Sequence, residues 1–110
     1  MTITIRNQDL ELPASAGLVW QHNHFECLDS YGRPEWVSTL HGLCICESYW
    51  RREAERMREI YNRMPTRQSI VYDCEIGSQK AEMRKLKTLA LRHAEAFASV
   101  HREIIAEKKT

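Results

Sequence analysis

Histidine and cysteine crowd two short stretches of the chain. Trp20 to Cys27 reads WQHNHFEC, and after thirteen intervening residues comes His41-Gly-Leu-Cys44-Ile-Cys46. The paired spacing His24-x-x-Cys27 and His41-x-x-Cys44 is that of a four-ligand zinc site, in which the two members of each pair must converge on one ion. Residues three apart converge on a helix or a tight knuckle and diverge on an extended strand. His41 and Cys44 meet that condition if their segment is helical. His24 and Cys27 do not, because the surrounding alternation predicts a strand and no glycine lies between them to fold a knuckle. Both pairs therefore read as small apolar thiols and half-exposed sheet histidines, with no metal and no cofactor. Cys44-Ile-Cys46 lacks the two-residue spacer of a redox pair.

A second chemistry lies in the helical seams. From Trp36 onward apolar residues recur at steps of four and three through Leu40, Leu43, Trp50, Ala54, Met57 and Tyr61, with Glu47 at the one polar seam position. A later seam runs Met83, Leu86, Ala90, His93, Phe97, Val100 and Ile104, and His93 is its only polar member. Pairing the two segments antiparallel sets Tyr61 against Met83, Trp50 against His93, and Glu47 within about one turn of His93. The expectation is a Glu47 to His93 hydrogen bond that fixes helix register, in preference to an acid–base catalytic dyad.

These residues must be positioned by a small set of elements. Thr2 to Ile5 and Leu10 to Leu12 alternate around Asn7-Gln-Asp9, which predicts a short hairpin, and Leu18 to Leu28 predicts a third strand. Asp29 to Arg33 is a turn, and Pro34 sits well at the start of a helix from about residue 35 to 63. Gly42 and its cysteine and β-branched neighbours weaken that helix, so residues 36–46 are the segment where strand competes with helix. Ser69 to Asp73 predicts a strand; Gly77 and Ser78 are read as turn and N-cap of a second helix that ends near residue 107. The architecture predicted is α+β, a single domain over residues 1–110, with a small antiparallel sheet at the N-terminal side packed with two long antiparallel helices.

Composition narrows the function classes. At 110 residues and 43% hydrophobic content the chain is long enough for one core. No apolar run approaches the roughly 20 residues of a membrane span, and no export signal opens the chain, so the expected location is cytoplasmic. The net charge of +1 conceals an acidic head, with two Arg against five Asp or Glu in residues 1–35, and a basic tail, with eight Lys or Arg against four Glu in residues 78–110. No nucleophile elbow, metalloprotease motif or phosphate-cradling loop occurs, and the chain is read as no enzyme.

Binding is what the remaining residues suggest. Tyr31 and Arg33 lie on a turn beside Trp36, which is read as buried, and Tyr and Arg are the residue types that dominate interface hot spots. Lys80, Arg84 and Lys87 form a basic stripe on the second helix. The function expected is a non-enzymatic protein-binding module, a small regulator or inhibitor that occupies a partner's surface, of the type bacteriophages direct at host machinery. The alternative is a zinc-stabilised module that touches nucleic acid through the basic stripe. Homodimerisation is compatible with the pattern, since two helices alone leave Trp36, Trp50 and Phe97 to be covered.

Overall fold

A computed structural model of the chain describes residues 1–64 and 73–108. Five strands precede two helices: β1 Thr2–Ile5, β2 Gln8–Glu11, β3 Leu18–Gln21, β4 His24–Leu28, β5 Pro34–Val37, α1 Thr39–Arg63 and α2 Asp73–Lys108. The class is α+β, as the sequence predicts, but the sheet is divided in two. β1 and β2 form an antiparallel pair, and β3, β4 and β5 form a separate three-stranded antiparallel sheet with β4 at its centre.

The predicted single strand from Leu18 to Leu28 is in fact a hairpin. His22 and Asn23 carry φ values of 53° and 63°, and Arg6 and Asn7 turn the first hairpin with the same pair of values. Positive φ at both central residues of a two-residue loop is the type I′ turn, whose twist matches that of the flanking strands, and asparagine tolerates it better than most residues. The first turn is therefore Arg6-Asn7, and Gln8 and Asp9 already belong to β2. In the second hairpin the fold-back changes which side chains share a face. Trp20 lies opposite Phe25 and Leu18 opposite Cys27, whereas Val19 lies opposite Glu26. Trp20 thus joins the core side with Phe25, and Val19 faces outward, the reverse of what one continuous strand would give.

The helix expected from residue 35 begins later. Pro34 opens β5, pairing with Leu28, and Trp36 pairs with Glu26, so Trp36 belongs to the sheet and not to the helical seam. Proline is compatible with the first residue of an edge strand, where its missing N–H costs no ladder bond. Ser38 starts α1: its hydroxyl accepts from the His41 N–H at 3.2 Å, and its carbonyl accepts from the Gly42 N–H at 2.9 Å. α2, by contrast, begins earlier than expected, at Asp73, and its backbone runs helically through Gly77 and Ser78, which are neither turn nor cap. The strand expected over residues 69–73 lies, except for Asp73, outside the described residues.

α1 and α2 pack as an antiparallel pair. Trp50 meets His93 with ring centroids 4.6 Å apart, and Tyr61 lies beneath Lys80 and Arg84. Close approach of the helices is marked by buried Ala54, Ala90, Ala94 and Ala98. The core sits at the sheet end of this hairpin, where Ile3, Ile5, Leu10, Leu12, Leu18 and Phe25 meet Leu43, Cys46, Phe97 and Val100. Gly42 is a point of close contact between α1 and the larger sheet, because a Cβ there would collide with the Phe25 ring. The smaller sheet is tied to α2 by Gln8, whose amide donates to Glu103 at 3.0 Å, and by Arg6, which pairs with Glu107. Trp50 donates its indole N–H to the Glu11 carbonyl at 3.0 Å and so fastens α1 to β2.

Candidate functional site

The inner face of the three-stranded sheet is consumed by the core, so what the outer face carries is free to act. Register places Val19, Glu26 and Trp36 in one row across that face, with Leu28 and Pro34 in the next. Trp36 is 73% exposed and Leu28 68%, and Val19 is also open to solvent. Large apolar side chains grouped on one sheet surface are uncommon in a solvated monomer unless something covers them. Trp36 is thus the opposite of the buried residue the sequence suggests. It is held nevertheless, since its indole stacks on the His24 ring at 3.4 Å between centroids and 6° between planes.

His24 lies buried beneath it. Its Nε2 is 2.8 Å from Glu26 Oε1 and its Nδ1 is 3.1 Å from the His22 carbonyl oxygen. Both neighbours are acceptors, so the doubly protonated ring donates at both ends and a neutral ring at one. The stack, the carboxylate and the turn carbonyl together fix the indole with one face against the protein and the other toward solvent.

Beside this patch the turn after β4 is locked by Asp29. One carboxylate oxygen accepts from the backbone N–H groups of Tyr31 and Arg33, both at 2.9 Å, while the Asp29 carbonyl accepts from the Gly32 N–H at 3.0 Å. Gly32 has φ 76°, a left-handed conformation that favours glycine. Tyr31 is 80% exposed, and the Arg33 guanidinium lies 5.2 Å from its ring centroid and 3.4 Å from the second Asp29 oxygen. Tyr31 and Arg33 are therefore presented on a preformed turn contiguous with the Leu28–Pro34 row. Side chains held this way lose less conformational entropy on binding than free ones.

The other candidates are distributed differently. His24 and Cys27 project from opposite faces of β4, and His41 and Cys44 are both exposed on α1. Among the described residues no three His, Cys, Asp or Glu side chains group as a metal site would require. Glu47 does not bond to His93: its carboxylate accepts from Arg51 at 2.9 and 3.0 Å, and His93 packs on Trp50 instead. The arginine four residues on reaches Glu47 within its own helix, and this local pairing takes the carboxylate that the seam alone would offer to His93. Of the basic stripe, Lys80 and Arg84 lean over the Tyr61 ring at 4.9 and 5.4 Å, and Arg84 donates to the Tyr61 hydroxyl at 3.0 Å. Lys87 lines a cleft with Met57, Tyr61 and Met83. The stripe thus faces the junction with α1. Phe97 is fully buried and Trp50 half-buried, so of the three large residues that two helices leave uncovered Trp36 alone stays open.

Sequence reasoning misses Val19, Leu28 and Trp36 as surface residues. Ser38 held the usable signal: read as an N-cap, it ends the preceding segment and leaves Pro34 to Val37 as a strand. No protein family, curated protein or solved structure matches the chain in comparison with known proteins.

Proposed function

We propose that the chain is a non-enzymatic protein-binding module, a small regulator or inhibitor that acts by occupying a partner protein's surface. The binding face is the outer side of the three-stranded sheet, with Trp36 and Leu28 as apolar anchors and Tyr31 and Arg33 as flanking contacts. The observation that carries this reading is an indole 73% exposed yet fixed in orientation by its stack on His24. A rigid, half-solvated aromatic beside exposed Leu, Tyr and Arg has the composition of an interface hot spot.

The test is capture from the source cell with the tagged chain, the variants Trp36→Ser and Tyr31→Ser, and Arg52→Ser as a control on the far helix. A partner held by the wild type and by Arg52→Ser is expected to be lost with Trp36→Ser and weakened with Tyr31→Ser, circular dichroism confirming that each variant is folded. Equal capture by a folded Trp36→Ser variant would remove the sheet face from the account.

A further inference from the structure

A second surface, on the outward side of α2, carries charge that the fold leaves unmatched. Elsewhere, among the described residues, six arginines are paired with carboxylates: Arg51 with Glu47 and Glu95, Arg56 with Glu53, Arg58 with Glu55, Arg102 with Glu95, Arg33 with Asp29, and Arg6 with Glu103 and Glu107. From Met83 to Ala94, by contrast, the chain holds Arg84, Lys85, Lys87 and Arg92 and no Asp or Glu. Arg84, Lys85, Thr88, Leu89 and Arg92 line one groove of about 440 Å³ on this helix. Among the described residues Lys85 and Arg92 have no carboxylate within ion-pair distance, and Arg84 is held by the Tyr61 hydroxyl. The acidic residues at the two ends of the stretch do not compensate, since Glu95 is taken by Arg102 and Arg51 and Glu82 makes no ion pair among the described residues. At the centre of the groove Leu89 is 48% exposed.

Cations at both ends of an exposed leucine match a segment that carries carboxylates around an apolar side chain. We infer that this face of α2 receives an acidic segment of a protein partner, anchored by one apolar residue against Leu89 and by carboxylates against Arg84, Lys85 and Arg92. The inference rests on the reading of the chain as a protein-binding module and supplies the chemistry of what it binds. Complementary charge raises the encounter rate and fixes orientation, while the apolar contact supplies the preference for protein over phosphate. Phosphate polymers match the charge equally well but offer nothing apolar to the leucine, and the groove has no exposed aromatic ring on which a base would stack.

The probe is a short labelled peptide of Asp and Glu with one central leucine, titrated into the full chain at low salt and followed by fluorescence anisotropy. Its leucine-to-serine analogue and a single-stranded DNA of equal charge are run beside it. The expected result is saturable binding of the leucine peptide, weakened about tenfold or more by the double substitution Lys85→Glu and Arg92→Glu. The serine analogue and the DNA bind several-fold more weakly than the leucine peptide. Leu89→Ser in the protein abolishes the difference between the two peptides without touching charge. DNA binding as tight as the leucine peptide, or equal affinity for both peptides, overturns the inference in favour of an unspecific or phosphate-directed cationic surface. No peptide binding while Trp36-dependent capture persists overturns it too and leaves the sheet-face reading intact; peptide binding with Trp36-independent capture does the reverse.

Discussion

Cys46 and Cys44 stand two residues apart on one helix and differ in almost everything else. Cys46 is fully buried, and burial pushes its thiol up to about 12, so it is a protonated apolar residue at neutral pH; Cys44 is exposed. Mass-spectrometric mapping after brief iodoacetamide treatment of the native protein is expected to find Cys44 modified and Cys46 intact, with Cys46 reacting only on unfolding. Modification of native Cys46 at a rate near that of Cys44 contradicts its place in the core. Gly42 shows the same dependence on surroundings. In isolation it weakens the helix by about 1 kcal/mol relative to alanine. In the fold its missing Cβ is the space that the Phe25 ring occupies. Because Phe25 is itself fully buried and has little freedom to move, Gly42→Ala is expected to destabilise by about 1–3 kcal/mol despite its better propensity. Adding Phe25→Leu should recover part of that loss in urea denaturation, and additive effects of the two changes would disprove the contact.

At the scale of elements, the two hairpins depend on turns that hold non-glycine residues at positive φ. Asn23→Gly and Asn7→Gly each relieve that conformation and are expected to raise stability by up to about 1 kcal/mol, whereas Asn23→Val should lower it by a similar or larger amount. Thermal melts of the three variants decide the matter. The smaller sheet is also pinned electrostatically: Arg6 beside it holds the Glu107 carboxyl below the usual carboxylate range, and the N-terminal ammonium does the same for Glu11. A carboxylate whose folded value is depressed stabilises the folded state above the unfolded titration range, near pH 4, and that contribution disappears as the pH falls through the depressed value. Glu107→Gln is therefore expected to flatten the acid limb of a stability–pH curve below about pH 5, with little change in its slope near neutrality. Both groups are exposed, so the effect is small and shrinks with salt.

Over the whole molecule, burial is concentrated at one end. The ten residues of the core lie where the sheets meet the helices, while beyond Ala54 on α1 and before Ala90 on α2 none of the side chains described is buried. Amide exchange is expected to be slowest around Leu43, Phe97 and Val100 and faster by orders of magnitude in residues 57–63 and 79–86, the end of the hairpin that has only its partner helix for cover. Uniform protection along both helices would contradict this. Much of the fold is legible in the sequence, because it follows from local periodicity: the α+β class, the first hairpin, the antiparallel helices and the meeting of Trp50 with His93 are consequences of alternation and of steps of three and four. The binding surface is not legible that way. Whether Trp36 faces the core or the solvent depends on where a strand yields to a helix at Ser38, and whether Val19 or Trp20 points inward depends on a two-residue turn at His22-Asn23. A shift of one residue in either place reverses the face of every side chain that follows. Apolar spacing alone does not distinguish these alternatives; the packing of the Phe25 ring against Trp20 and over Gly42 does, and that packing exists only once the sheet and the helix are brought together.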